Sequence, residues 1–424
     1  MNWIKMQIKI KNKDHKRVVS NMVSLFILQG SNYILPLILL PYLVHVLGIE
    51  YFGLLAFATA TISFFRGVVS YGFDLTGTQQ ISIHRDNPKK LTEIFNAILA
   101  VKFILALLSL FLLSILLLFV DKFHEHWEVF LYTFIIVFGD VLFPVWFFQG
   151  VEKMKMITYL RIAQKSFLVL LVILLVHNQD QYTWVPLIDA ISSIVVGLIA
   201  IYYISKNQGI FFKLPKIEHI IFQFKNSWHI FVSNLSVFLY STVNIFLLGL
   251  LTNNTNVGYY SVAMKIYMAI RGLFTPIIQA LFPFLAKKYK ESQINYYNMV
   301  NKLSKAYVVI LALLAVITYC FSQELVGLIS GKQIIESENI LRILAISIVF
   351  AIGSFFTPLL VIKGEGKTLS KITFISMIIN LIFVYPAIYF EGIYGLTLLF
   401  LLVQIIQATL QIWYNKEIYF GKTI

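Results

Sequence analysis

Cysteine is all but missing from this 424-residue chain. Cys320 stands alone inside an apolar run, which excludes a disulfide within the chain and reads as a small buried hydrophobe. Charge is scarce as well, at 13% of residues, where a soluble domain carries about 25%. There is no Gly-rich phosphate loop ending in Gly-Lys-Ser/Thr, which argues against ATP-driven work by this chain. His84, His124, His126 and His177 are scattered over connections. His124 and His126 lie close to Glu125 and Glu128, but no second ligand cluster accompanies them, so neither a metal site nor a cofactor is read. The basic N-terminus (Lys5, Lys9, Lys11, Lys13, Lys16, Arg17) leads into a long apolar segment without a small-residue cleavage site, so the first helix is read as retained.

Apolar residues are abundant, at 59% of the chain. They fall in continuous runs of roughly 20 residues, the length that spans a ~30 Å hydrocarbon layer. Only helices and closed barrels satisfy their backbone in lipid, and runs without alternation select helices. The pattern predicts an all-α membrane protein with about twelve transmembrane helices, over 20–44, 51–76, 94–120, 127–150, 157–176, 184–205, 226–251, 258–286, 303–322, 337–362, 370–390 and 392–414. No connection is long enough to be a soluble domain. With the N-terminus inside, the inner segments hold twenty-four Lys and Arg against two in the outer ones, Lys122 and Lys332. By the positive-inside rule both termini are expected in the cytoplasm, in a cytoplasmic (inner) membrane. The net charge of +14 is then an orientation signal, aided by anionic lipid, rather than a sign of nucleic acid.

The two halves resemble each other at a fixed offset. A shift of 205 maps Asn21 to Asn226, Phe26 to Phe231, Gly53 to Gly258, Ala58 to Ala263, Arg66 to Arg271 and Gly67 to Gly272. A shift of 214 maps Gly139 to Gly353, Pro144 to Pro358, Gly150 to Gly364 and Lys153 to Lys367. Six helices separate matched spans, so they run in the same direction. This predicts two six-helix bundles, 1–215 and 216–424, related by a pseudo-two-fold axis along the membrane normal, with a central cavity between them, a layout common in transporters.

Polar residues inside spans are the site candidates. Arg66 and Arg271 fall near the middle of spans two and eight, where a lone Arg costs roughly 2.5–3.5 kcal/mol. They are expected either to flank a cavity and bind an anion, phosphate suiting the planar guanidinium, or to be satisfied by helix-end carbonyls or a neighbouring Asp. Lys265 extends that positive surface or snorkels outward; Lys102, Arg161 and Lys165 snorkel or line the inner vestibule. Asp140 and Asp74 are candidates for proton or sodium coupling; an internal salt bridge, such as Asp74 with Arg66, is the plainer reading. Asp189 is expected to be solvated near the outer surface. Gln29 and Asn32 share one face of the first helix and serve either a gate or interhelical hydrogen bonds. Pro36 and Pro41 should bend that helix.

The segment FPVWFFQGVEKMKM (143–156) resembles the P-x-W-x-x-Q-G-x-E-x-M signature of O-antigen-type polysaccharide flippases, through Pro144, Trp146, Gln149, Gly150, Glu152 and Met154. The opening QGSNYILPLILLPYLVHVLGIEYFGLLAFA and the later GYYSVAMKIY are similar too, so the resemblance covers essentially the whole chain. It implies membership of the multidrug/oligosaccharidyl-lipid/polysaccharide exporter superfamily, with two six-helix bundles around a cationic lumen. It also implies translocation of undecaprenyl-pyrophosphate-linked oligosaccharide between leaflets, for lipopolysaccharide or related polysaccharide synthesis, beside a polymerase of the same pathway. Two alternatives stand against this reading. A drug or cation exporter of the same superfamily would want an acidic cavity. A polymerase or ligase enzyme would want a long outer loop, and the longest here, near 323–336, is short.

Overall fold

A computed structural model describes residues 2–416 of the chain. Its helices are α1 (Asn2–Ser70), α2 (Phe73–Ile83), α3 (Pro88–Phe119), α4 (Asp121–His124), α5 (Trp127–Leu142), α6 (Val145–Gly150), α7 (Met154–Leu175) and α8 (Trp184–Gln208). They continue as α9 (Ile217–Leu251), α10 (Asn254–Gly272), α11 (Thr275–Glu291), α12 (Gln293–Cys320), α13 (Ser322–Ser330), α14 (Ile335–Phe350), α15 (Ile352–Ile362) and α16 (Gly366–Tyr414).

Among the described residues, eight stretches are long and apolar enough to cross a membrane, and two of these are too long for one crossing. Ile27–Ile83 and Gly366–Tyr414 hold 57 and 49 residues, or roughly 85 and 74 Å of helix at 1.5 Å per residue, more than twice the hydrocarbon thickness. Each turns at a glycine outside helical dihedrals, Gly48 (φ 77°) and Gly392 (φ 56°). Positive φ favours glycine, so sequence sets the turn-back there. With α9 and the α10–α11 pair this gives twelve crossings in an all-α protein. α1 stays helical at Pro36 and Pro41; its departure is at Gly48. Cys320, expected inside, is exposed at the end of α12, where the helix has left the packed interior.

The element order repeats. The second crossing of each half is broken, at Tyr71–Gly72 between α1 and α2 and at Leu273–Phe274 between α10 and α11. The fourth is broken likewise, between α5 and α6 and between α14 and α15. The chain divides into two compact units: residues up to Leu35 with Thr61–Leu235, and Pro36–Ala60 with the residues from Ser236 on.

Inside the second unit, residues matched by the 205 shift meet one another. A Cβ on Gly53 would collide with the Asn254 carbonyl oxygen, and one on Gly258 with the Ile49 carbonyl oxygen. Position 49 shifts to 254 and 53 to 258, so the crossing is self-complementary, as a two-fold relation between repeats requires. Small residues let membrane helices approach this closely. Gly258→Ala is therefore expected to lower the thermal unfolding midpoint in detergent by several degrees, an overpacking cost of about 1–3 kcal/mol. Gly327→Ala, where no atom lies within 4 Å of the added carbon, should leave the midpoint unchanged or raise it.

The second repeat block keeps its packing as well. Gly139 of α5 lies against Ser193 of α8, and Gly353 of α15 against Ala408 and Gln411 of α16.

Candidate functional site

In the first unit the intramembrane charges gather on one carboxylate. Arg66 sits four residues before the end of α1 and reaches Asp140, near the end of α5. Its Nε–H donates to Oδ2 at 2.7 Å, and its Nη2 lies 2.7 Å from the same oxygen. Arg161 of α7 donates from Nη2 to Oδ1 at 3.0 Å, so each guanidinium takes one carboxylate oxygen. The other arm of Arg161 donates to Gln164 Oε1 at 3.1 Å, and its guanidinium carbon lies 4.5 Å from the centre of the Phe143 ring. Lys102 of α3, only 6% exposed, donates to the Asp140 carbonyl oxygen at 3.3 Å. Lys165, one turn beyond Arg161, donates to Asn32 Oδ1 of α1 at 2.7 Å. Asp189 of α8 is within electrostatic reach of Arg66, Arg161 and Asp140.

The group thus holds four cations, Arg66, Lys102, Arg161 and Lys165, and three carboxylates, Asp140, Asp189 and Asp74, the last acting on Lys102 from the first turn of α2. The Arg66 side chain remains 42% exposed and that of Asp140 18%. An exposed guanidinium with donors to spare, beside an excess of positive charge, attracts an anion.

Several expectations change here. Arg66 pairs with Asp140 rather than Asp74, which accepts from the Ser70 hydroxyl at 3.1 Å in the first turn of α2. The break at Tyr71–Gly72 separates Arg66 and Asp74 onto different helices. Asp189 is half-buried and turned towards the cluster rather than solvated. Lys102 is buried on a carbonyl rather than snorkelling, and Arg161 and Lys165 are tied to Asp140 and Asn32. Asn32 thereby joins α1 to α7, and Gln29 lies one turn before it, half-buried.

The second unit carries the repeat-related site without the carboxylate. Arg271 lies in the last turn of α10, at the break before α11. It is within electrostatic reach of Tyr307, whose hydroxyl is 3.4 Å from the Ser354 hydroxyl. The helix starts of α3 and α12, Pro88 and Gln293, also differ by 205. Tyr307 is therefore the counterpart of Lys102, and by the shift of 214 Ser354 is the counterpart of Asp140. Contact is kept and charge is not. Among the described residues, Arg271 has no carboxylate partner. Lys265, on the exposed side of α10, places its ammonium 4.6 Å from the centre of the Phe52 ring.

The signature segment serves packing. Trp146 is 1% exposed and lies against Gly77 of α2 and Phe95. The Thr78 hydroxyl is 3.2 Å from the Trp146 carbonyl oxygen and 3.1 Å from Gln149 Oε1. Gly150 packs on Ile81, and Glu152 pairs with Arg85 at 3.1 Å. Positions 77, 78, 81 and 85 form one stripe along α2 and beyond its end, so the segment fastens the end of the fourth crossing to the end of the second. Glu152 adopts φ 58°, an uncommon conformation for a residue other than glycine.

Sequence reasoning missed that Arg161, Lys102 and Asp189 belong to one site. Two signals were available: Arg161, Gln164 and Lys165 at i, i+3 and i+4 share a helix face, and the repeat offsets align Lys102 and Asp140 with the touching pair Tyr307 and Ser354.

Twelve apolar crossings in a repeated order, with an ion cluster inside them, define a multi-pass membrane protein of the fold seen in multidrug and lipid exporters. An inward-facing multidrug resistance MATE family transporter of the MOP superfamily matches with TM-score 0.72 at 15% identity, over 94% of this chain and 98% of that one. Lipid II flippase MurJ, in an inward closed conformation, matches with TM-score 0.71 at 15% identity, over 94% and 87%. The chain belongs to the polysaccharide biosynthesis protein family, whose profile matches residues 18–289. Among curated relatives, a "Putative O-antigen transporter" of Shigella dysenteriae is 28% identical over 395 residues, 91% of this chain and 97% of that protein. One of the same name from Escherichia coli strain K12 is 33% identical over 264 residues, 62% of this chain. That match spans 63% of the E. coli protein's length.

Proposed function

We propose that this protein is a lipid-linked oligosaccharide flippase of the cytoplasmic membrane. It moves undecaprenyl-pyrophosphate-linked O-antigen or related repeat units from the cytoplasmic to the periplasmic leaflet by alternating access, with both termini in the cytoplasm. The six-helix halves, 1–215 and 216–424, rock about a central cavity, and the lipid tail stays in the bilayer. No bond is made or broken. The observation that carries the reading is the pair of repeat-related arginines at membrane depth, one in a cluster with surplus positive charge and one that has no carboxylate partner among the described residues. A pyrophosphate supplies the missing negative charge.

Arg271, with Lys265 and the hydroxyls of Tyr307 and Ser354, takes one phosphate, and the outward donors of Arg66 take the other. A proton or sodium gradient gives direction. Asp140, the shared counter-ion of Arg66 and Arg161, changes partners when the pyrophosphate arrives, and Asp74 is the second candidate for coupling. Gln29 and Asn32 mark the moving first helix, which Asn32 ties to α7 by accepting from Lys165. A polymerase of the same pathway receives the product.

Expression in a flippase-null strain that makes the cognate lipid-linked unit is expected to restore surface polysaccharide on a gel without changing drug susceptibility. Restored drug resistance with no polysaccharide would overturn the assignment.

A further inference from the structure

A second cationic recess lies in the first unit, away from the Asp140 cluster. It has a volume of about 270 Å³ and is walled by the end of α2, the start of α3 and the start of α9. Its floor is apolar, from Ile94, Ala97 and Phe222, and its rim carries His84, Lys90 and His219. Glu93 on the rim accepts from Lys90 Nζ at 2.8 Å and feels His219 and Lys216 as well. Glu93 thus faces two lysines and His219, and the lysines alone outnumber it. At its edge Gln80 and Gln223 exchange amide hydrogen bonds, both 2.9 Å, which join α2 to α9.

A second, independent feature adjoins the recess. Phe211, Phe212 and Leu214 on the connection into α9, with Ile217, Ile221 and Phe222 on the helix, are all exposed, Leu214 at 87%. A contiguous greasy strip where the spans end belongs against acyl chains or at the headgroup boundary. Its neighbour, a basic recess between helices at the same level, suits a phosphate.

We propose that this recess binds the headgroup of an anionic phospholipid, whose acyl chains lie along the Phe211–Phe222 strip. The bound lipid bridges α2, α3 and α9. The site is separate from the proposed substrate path and does not depend on it.

The test uses the full-length protein in a neutral detergent, titrated separately with phosphatidylglycerol, phosphatidylcholine and inorganic phosphate. Thermal unfolding is followed, and native mass spectrometry counts bound lipid. Phosphatidylglycerol should raise the unfolding midpoint by several degrees, while the other two should not. Lys90→Gln/His219→Gln should lose most of that shift. Lys332→Gln/Lys367→Gln, two exposed lysines of the second unit, should keep it. An equal response to inorganic phosphate would make this a free-anion site and overturn the lipid assignment. So would an undiminished phosphatidylglycerol shift in the Lys90/His219 variant, or equal losses in both double variants, which would reduce the effect to general surface charge.

Discussion

Arg271→Gln should abolish polysaccharide export, whereas Arg66→Gln should only weaken it, with both proteins present in the membrane at normal levels. The asymmetry follows from the partners. Arg66 is bonded to Asp140, and Asp140 keeps Arg161 when Arg66 is gone. Arg271 has the neutral Tyr307 and Ser354 where the first half has Lys102 and Asp140. Removing one member of a desolvated, hydrogen-bonded charge pair costs about 2–4 kcal/mol. At 1.4 kcal/mol per tenfold, that is a loss of roughly 30- to 700-fold in anion affinity. Ser354→Asp is the sharper arm. It places a carboxylate at the position equivalent to Asp140 and gives Arg271 an internal partner. Export should fall as far as in Arg271→Gln, while the protein becomes no less stable. Complementation of a flippase-null strain, read on a polysaccharide gel beside an immunoblot of membranes, measures all three. Wild-type export from Arg271→Gln, or from Ser354→Asp, would show that the second half does not hold the anion.

Which parts of this arrangement can be read without coordinates depends on whether the information is local. Crossing number follows from run length against bilayer thickness, and the turn-backs at Gly48 and Gly392 lie in or beside the polar gaps between runs. The repeat is a property of spacing, so Gly53 and Gly258 could be paired from numbers alone. That they touch needs a crossing geometry that the offsets do not contain. The ion partners are the least local. Arg66 and Asp74 are eight residues apart, and a continuous helix would separate them by about 12 Å along the axis and 80° around it. The break at Tyr71–Gly72 removes even that relation. Arg66 and Asp140 are brought together by the azimuths of α1 and α5, which depend on packing such as Gly139 on Ser193. Depth in the sequence likewise misplaced Asp189: a residue about one and a half turns inside α8 can face either water or a cluster, and only the helix rotation decides.

The other large effect concerns stability. Asp140→Asn is isosteric, yet it removes the charge that two guanidiniums share and turns an amide donor towards one of them. Arg66, Arg161 and Lys102 then face each other with Asp189 and Asp74 as the remaining nearby carboxylates. Breaking a buried ion pair by removing one partner costs about 3–5 kcal/mol. Because the Arg66 side chain is 42% exposed, solvent screens part of this, and about 2–3 kcal/mol is expected. The unfolding midpoint in detergent should drop accordingly, with less protein reaching the membrane. A second substitution separates charge imbalance from simple loss of packing. Arg161→Gln in the Asp140→Asn background removes one stranded cation and should recover part of the loss, although Arg161→Gln alone destabilises. Such a cycle reads the coupling directly, and contacting charges typically give 0.5–3 kcal/mol. If the two losses simply add, Asp140 is not the counter-ion of Arg161, and that guanidinium is then held by something other than the carboxylate.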